Sequence, residues 1–131
     1  MERHCSNGEK VFEFLNQCKK VDKIYWPGLE SHPNHLVAKR QMKKFGGMIS
    51  FTFVNNMYSD VVNFTKKLKV FTLAESLGGV ESLVNHPATM THASMPKKDR
   101  ERNGIIESLI RLSVGIEDSI DLVNDLDKAI N

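Results

Sequence analysis

The sequence predicts an α/β (α+β) fold, a small and mainly antiparallel sheet covered by helices, and three observations lead there. From Met48 to Val54, Ile49, Phe51 and Phe53 alternate with Met48, Ser50, Thr52 and Val54, which puts the large apolar residues Ile49, Phe51 and Phe53 on one face, the period-two pattern of a half-buried strand. Two segments, Met57–Leu68 and Ile116–Ile130, instead carry apolar residues at helical spacing. Short strand patterns also alternate with helical ones along the chain, in the order α-β-α-β-α-β-loop-β-α, which leaves the strand order open.

Taken in order, residues 2–18 place Cys5, Val11, Phe14, Leu15 and Cys18 at roughly helical spacing, and Lys19-Lys20 suits a helix C-terminus. Val21–Trp26 reads as a strand stopped by Pro27-Gly28, and Leu29–Asn34 as a loop. His32 and His35 lack a third ligand at zinc spacing, so they read as hydrogen-bonded or solvated histidines. Asn34 is a good N-cap for a helix reaching Lys43. Gly46-Gly47 precedes the alternating strand, and Asn55-Asn56 forms a turn before the helix to Leu68.

Val70–Ala74 reads as a strand that delivers Glu75 and Ser76 to a loop opened by Gly78-Gly79. A long Ser-, Thr-, His- and Pro-containing segment follows, and the mixed charges of Lys97–Arg102 read as a solvated stretch. Leu109–Val114 is the last strand. Its Arg111 demands a partner or solvent, because a lone buried charge is costly. Gly115 ends the strand, and Ile116, Ile120, Val123, Leu126 and Ile130 make the stripe of a closing helix. The expected core comprises Ile49, Phe51, Phe53, Leu73, Ile110, Leu112, Ile120 and Val123.

Composition narrows the function classes. The 131 residues form one domain of ordinary size, 40% hydrophobic and 26% charged. A dispersed net charge of +2 argues against a nucleic-acid partner. No apolar run approaches the roughly 20 residues of a membrane helix, and no membrane partner is expected. Met1–Cys5 carries no apolar signal-type core. Two cysteines without CxxC spacing read as free thiols in a reducing compartment, so the expected location is cytoplasmic.

Several motifs, in order and with family spacing over nearly the whole chain, carry a resemblance. They are Tyr25-Trp-Pro-Gly-Leu29 with Ser31-His-Pro33, Ala38-Lys-Arg-Gln41, Phe45-Gly-Gly-Met48, Phe71–Leu83 continuing to Pro96, and Leu109–Glu117. The sequence resembles the C-terminal domain of the Cys/Met-metabolism family of pyridoxal-phosphate enzymes, nearest its cystathionine γ-synthase and γ-lyase members. The resemblance implies sulfur amino-acid chemistry (transsulfuration), as transferase or carbon–sulfur lyase, with pyridoxal phosphate in the full-length enzyme supplying an electron sink. It also implies an amino-acid substrate, a large N-terminal cofactor domain as partner, and a homotetramer.

The family's Schiff-base lysine motif is absent here, so residues 1–131 look like the C-terminal third of such an enzyme. Met1 then reads as either an internal methionine or a natural start. No catalytic, cofactor-binding or metal residue is expected in this chain, nor bound cofactor or activity from it alone. By resemblance Arg111 pairs with the substrate α-carboxylate and Ser76 helps hold it. Glu75 occupies the position that is acidic in γ-enzymes and often aromatic in β-lyases, and Thr91 lies near the same region. The alternative is a stand-alone amino-acid-binding or structural domain without cofactor chemistry.

Overall fold

The computed structural model describes residues 1–131. Helix α1 (Glu2–Gln17) buries Val11 and Leu15 and leads into strand β1 (Val21–Tyr25). The short α2 (His35–Gln41) follows; Asn34 stands at its N-cap but makes no side-chain capping bond. Strand β2 (Met48–Phe53) precedes α3 (Tyr58–Lys67), and the two-residue β3 (Thr72–Leu73) precedes β4 (Leu83–Asn85). Helix α4 (Lys97–Arg102), β5 (Ile110–Ser113) and α5 (Ser119–Ile130) complete the chain.

The strands form one sheet in the order β1-β2-β5-β4-β3. Every pair is antiparallel except β3–β4, which is parallel. Ile49, Phe51 and Phe53 lie on the helix-covered face with Ile110, Leu112 and Val84, and there they meet Val11, Leu15, Val61, Phe64, Leu122 and Leu126. The Phe51, Phe53 and Phe64 rings pack edge to face with centroids 5.4–5.8 Å apart, the arrangement their quadrupoles favour.

Three expected core residues are placed differently. Leu73 is 51% exposed because β3 is the outermost strand of the sheet. Ile120 is 68% exposed and Val123 only half-buried. The inward stripe of α5 is Leu122, Asp125, Leu126 and Ala129, a clean i, i+3, i+4, i+7 set once the carboxylate is admitted to it. Asp125 belongs inside because its oxygens accept the backbone N–H groups of Lys69, Val70 and Phe71 at 2.8–3.0 Å. Those bonds clamp the α3–β3 connection onto the last helix.

The chain's two ends are also tied together. His4 Nδ1 donates to the Val114 carbonyl at 2.8 Å. Asn7 Nδ2 donates to the carbonyls of Gly115 and Glu117, at 3.0 and 2.8 Å. The Glu117 carboxylate in turn accepts the N–H and hydroxyl of Ser82, whose Oγ accepts from Gly115 N–H. Gly115 is required there, since a Cβ would run into the Val80 carbonyl. His35 Nδ1 donates to the Pro27 carbonyl, and His32 Nδ1 accepts from the Asn34 N–H.

Candidate functional site

Strand register builds the site. Tyr25 pairs with Ser50, Ser50 with Arg111, and Arg111 with Asn85. Directly paired residues point to the same side, so these four form a row across β1, β2, β5 and β4, on the face opposite the core. Arg111 is half-buried, and its guanidinium has neither a hydrogen bond nor an ion pair within the chain. The arginine that the sequence left to solvent or an anion therefore lies in an inner strand, with all its donors free.

The segment after β3 is fastened beside this row. Ala74 N–H bonds Val84 O, and Gly78 N–H donates to Ser113 Oγ at 2.8 Å, two residues from Arg111. Gly78 has φ +76°, a left-handed turn that suits glycine. Glu75 and Ser76 lie between these two anchors, exposed, with no side-chain hydrogen bonds. Thr91 is exposed too; its hydroxyl bonds His92 Nδ1 at 2.8 Å. Its neighbour Met90 presents Sδ to the Asn85 amide and to His86 N–H.

Of the four sequence candidates, Ser76 and Thr91 make no hydrogen bond to the others, Glu75 follows Ala74, and only Arg111 pairs directly with β4, a strand the sequence did not disclose. Asn85 at its end is the residue that was missed: it is 1% exposed, and its Nδ2 faces Ala74 O at 3.4 Å. No pattern flagged it, because three residues are too few for alternation to be read.

The next residue, His86, is also buried. Its Nε2–H donates to Glu107 O at 2.8 Å, leaving Nδ1 to accept from the Thr89 hydroxyl at 2.7 Å. Arg100 of α4 bonds Ala88 O and the Glu107 carboxylate. Lys97–Arg102 is solvated as expected except for Arg100, which turns inward from a short helix. The inward turn follows from Arg100 meeting a carbonyl and a carboxylate together.

Burial pushes the His86 imidazole below its ordinary value of 6.5, with the Glu107 carbonyl and charge opposing this. The unfolded chain then binds more protons than the folded one between the lowered value and about 6.5. Stability is full above that window and falls as pH drops through it. Thermal unfolding from pH 7.5 to 5 is expected to show this loss, and His86→Gln to lose less over the same interval. Equal pH dependence in both proteins would contradict it.

Every lysine is exposed, so no amine here sits in the desolvated setting that makes a lysine nucleophilic.

The profile of the Cys/Met metabolism PLP-dependent enzymes matches residues 1–131. Cystathionine β-lyase of Lactococcus lactis subsp. cremoris (strain MG1363) is 55% identical over 130 residues, covering 99% of this chain and 34% of the relative. Cystathionine γ-lyase of Mus musculus is 53% identical, covering 99% and 32%. The crystal structure of cystathionine γ-synthase from Xanthomonas oryzae pv. oryzae, in complex with aminoacrylate and cysteine, matches with a TM-score of 0.93 and 45% identity, over 99% of this chain and 33% of that one. The chain spans about a third of the length of the curated relatives it matches. With the whole chain matched by the profile and its mainly antiparallel sheet shared with solved members, the chain belongs to the Cys/Met-metabolism family of pyridoxal-phosphate-dependent enzymes.

Proposed function

We propose that this chain is the C-terminal, substrate-side domain of a pyridoxal-phosphate-dependent cystathionine γ-synthase or γ-lyase. The observation that carries the reading is Arg111, half-buried in an inner strand with its guanidinium unpartnered. A planar fork of free donors matches a carboxylate in two parallel hydrogen bonds, which a lysine cannot do. Ser76, held near the end of β5 by the Gly78–Ser113 bond, supplies a hydroxyl to the same anion. Thr91, exposed on the segment after β4, is assigned to the same substrate side by resemblance alone.

The residues present do not fit as the cofactor's own holder, since no lysine is buried. In the whole enzyme the cofactor supplies the electron sink. This chain binds and orients the amino acid.

Glu75 supports γ-type substrates. Its exposed carboxylate has no partner in the chain and suits the distal ammonium of cystathionine. The name of the Lactococcus relative favours a second reading, β-elimination. The products separate the two: cleavage at Cγ of cystathionine releases cysteine, and cleavage at Cβ releases homocysteine. The whole enzyme carrying this sequence is expected to release mainly cysteine, and Glu75→Tyr to lower the cysteine-to-homocysteine ratio about tenfold, the effect of roughly 1.4 kcal/mol. An unchanged ratio removes Glu75 from substrate choice, and homocysteine as the main wild-type product favours the second reading.

A further inference from the structure

We propose that Asn85 is a positioning residue for Arg111: its amide oxygen accepts a hydrogen bond from the guanidinium and holds the fork toward the substrate carboxylate. This rests on the reading of Arg111 as carboxylate anchor.

Two mismatches on neighbouring strands carry the inference. Asn85 Oδ1 is buried and has no hydrogen-bond partner, whereas buried polar atoms are nearly always paired. Arg111 is its register partner across β4–β5, and none of the arginine side chain's donors is used. Guanidinium has five N–H donors and no acceptor. A bidentate carboxylate occupies two, so donors remain for a neighbouring oxygen.

The amide's orientation is set independently. Both groups near Nδ2, the Ala74 carbonyl and Met90 Sδ, are acceptors, so the NH2 belongs on that side and the oxygen on the other. Paired residues on adjacent strands have Cβ atoms roughly 4.5–5.5 Å apart, within the span of an arginine side chain. Ser50, the partner on the other flank, is only half-buried. Its hydroxyl can turn to water, which the Asn85 oxygen cannot.

Formed in the whole enzyme, such a bond restricts the rotamers of a long side chain that is untethered in this chain alone. The benefit is in binding, since less side-chain freedom remains to be lost. The neighbours Ala74 and Met90 also link Asn85 to the segments bearing Glu75 and Thr91. The amide thus sits where three parts of the site converge.

The test is a double-mutant cycle in the whole enzyme carrying this sequence, with Asn85→Leu, Arg111→Ala and the double variant, measured for KM, kcat and Tm. Asn85→Leu keeps the volume and removes the orphaned oxygen. It is expected to raise KM for the amino-acid substrate about tenfold, to leave kcat within about twofold and not to lower Tm. On the Arg111→Ala background it is expected to change kcat/KM by less than about twofold, because it acts through the arginine. Asn85→Ala, a second variant lacking the oxygen, is expected to raise KM similarly even where its Tm falls. Unchanged KM in both Asn85 variants overturns the proposal, as does an equal Asn85→Leu effect with and without Arg111. If Arg111→Ala itself leaves kcat/KM unchanged, the anchor reading fails, and the failure is visible separately from that of Asn85.

Discussion

Arg111→Ala in the whole enzyme is expected to lower kcat/KM by two to four powers of ten. Each charge-assisted hydrogen bond contributes about 1.5–3 kcal/mol net of hydration. A two-bond grip on the carboxylate is then worth about 3–5 kcal/mol, which gives that range. Arg111→Lys keeps the charge but loses the fork, and should recover only part of the loss. Steady-state kinetics of the two mutants decide the matter. A change in kcat/KM below about threefold, under roughly 1 kcal/mol, would show that Arg111 holds no substrate group.

The largest stability effect is expected at Asp125, far from any chemistry. Asp125→Ala leaves the N–H groups of Lys69, Val70 and Phe71 without their acceptor. Each buried donor left unpaired costs about 1–3 kcal/mol. Allowing for the partial exposure of two of them, the total is about 3–5 kcal/mol. For a domain of this size that corresponds to a fall in Tm on the order of 10–20 °C. Asp125→Asn retains one acceptor oxygen but turns an NH2 toward a donor, and should lose roughly half as much. Urea or thermal unfolding of the chain measures both. A loss below about 1 kcal/mol in Asp125→Ala would mean that the three amides find water instead.

Asp125 also shows what the sequence could and could not disclose. The long periodic elements were legible: β2 and α3 lie where alternation and helical spacing put them, and five of the eight expected core residues are buried. The closing helix was legible as a helix but rotated in phase. Hydrophobicity alone turns a charged residue outward, and only the distant amides of residues 69–71 justify turning Asp125 inward. Leu73 failed for a different reason, since a sheet edge is decided by strand order and not by local pattern.

Of the candidate site, the residue pattern by itself marked only Arg111. Arg111 announced itself as a charge inside an apolar strand. Glu75, Ser76 and Thr91 came from resemblance, and the fold places their segments around β4. That strand's three residues, Leu83, Val84 and Asn85, carry no period of their own. They are strand because β5 lies antiparallel on one side and β3 parallel on the other. Asn85 acquires its meaning only through that pairing.

The bonds from His4 and Asn7 to residues 114–117 also set an order of events during folding. Their partners lie 108–110 residues downstream, so α1 cannot reach its final seat until β5 and the turn after it exist. Closing so long a loop is entropically expensive, and contacts of this separation slow the approach to the native state. During synthesis, which runs from N- to C-terminus, α1 can gain its contact with Trp26 early, but its bonds to residues 114–117 form only near the end.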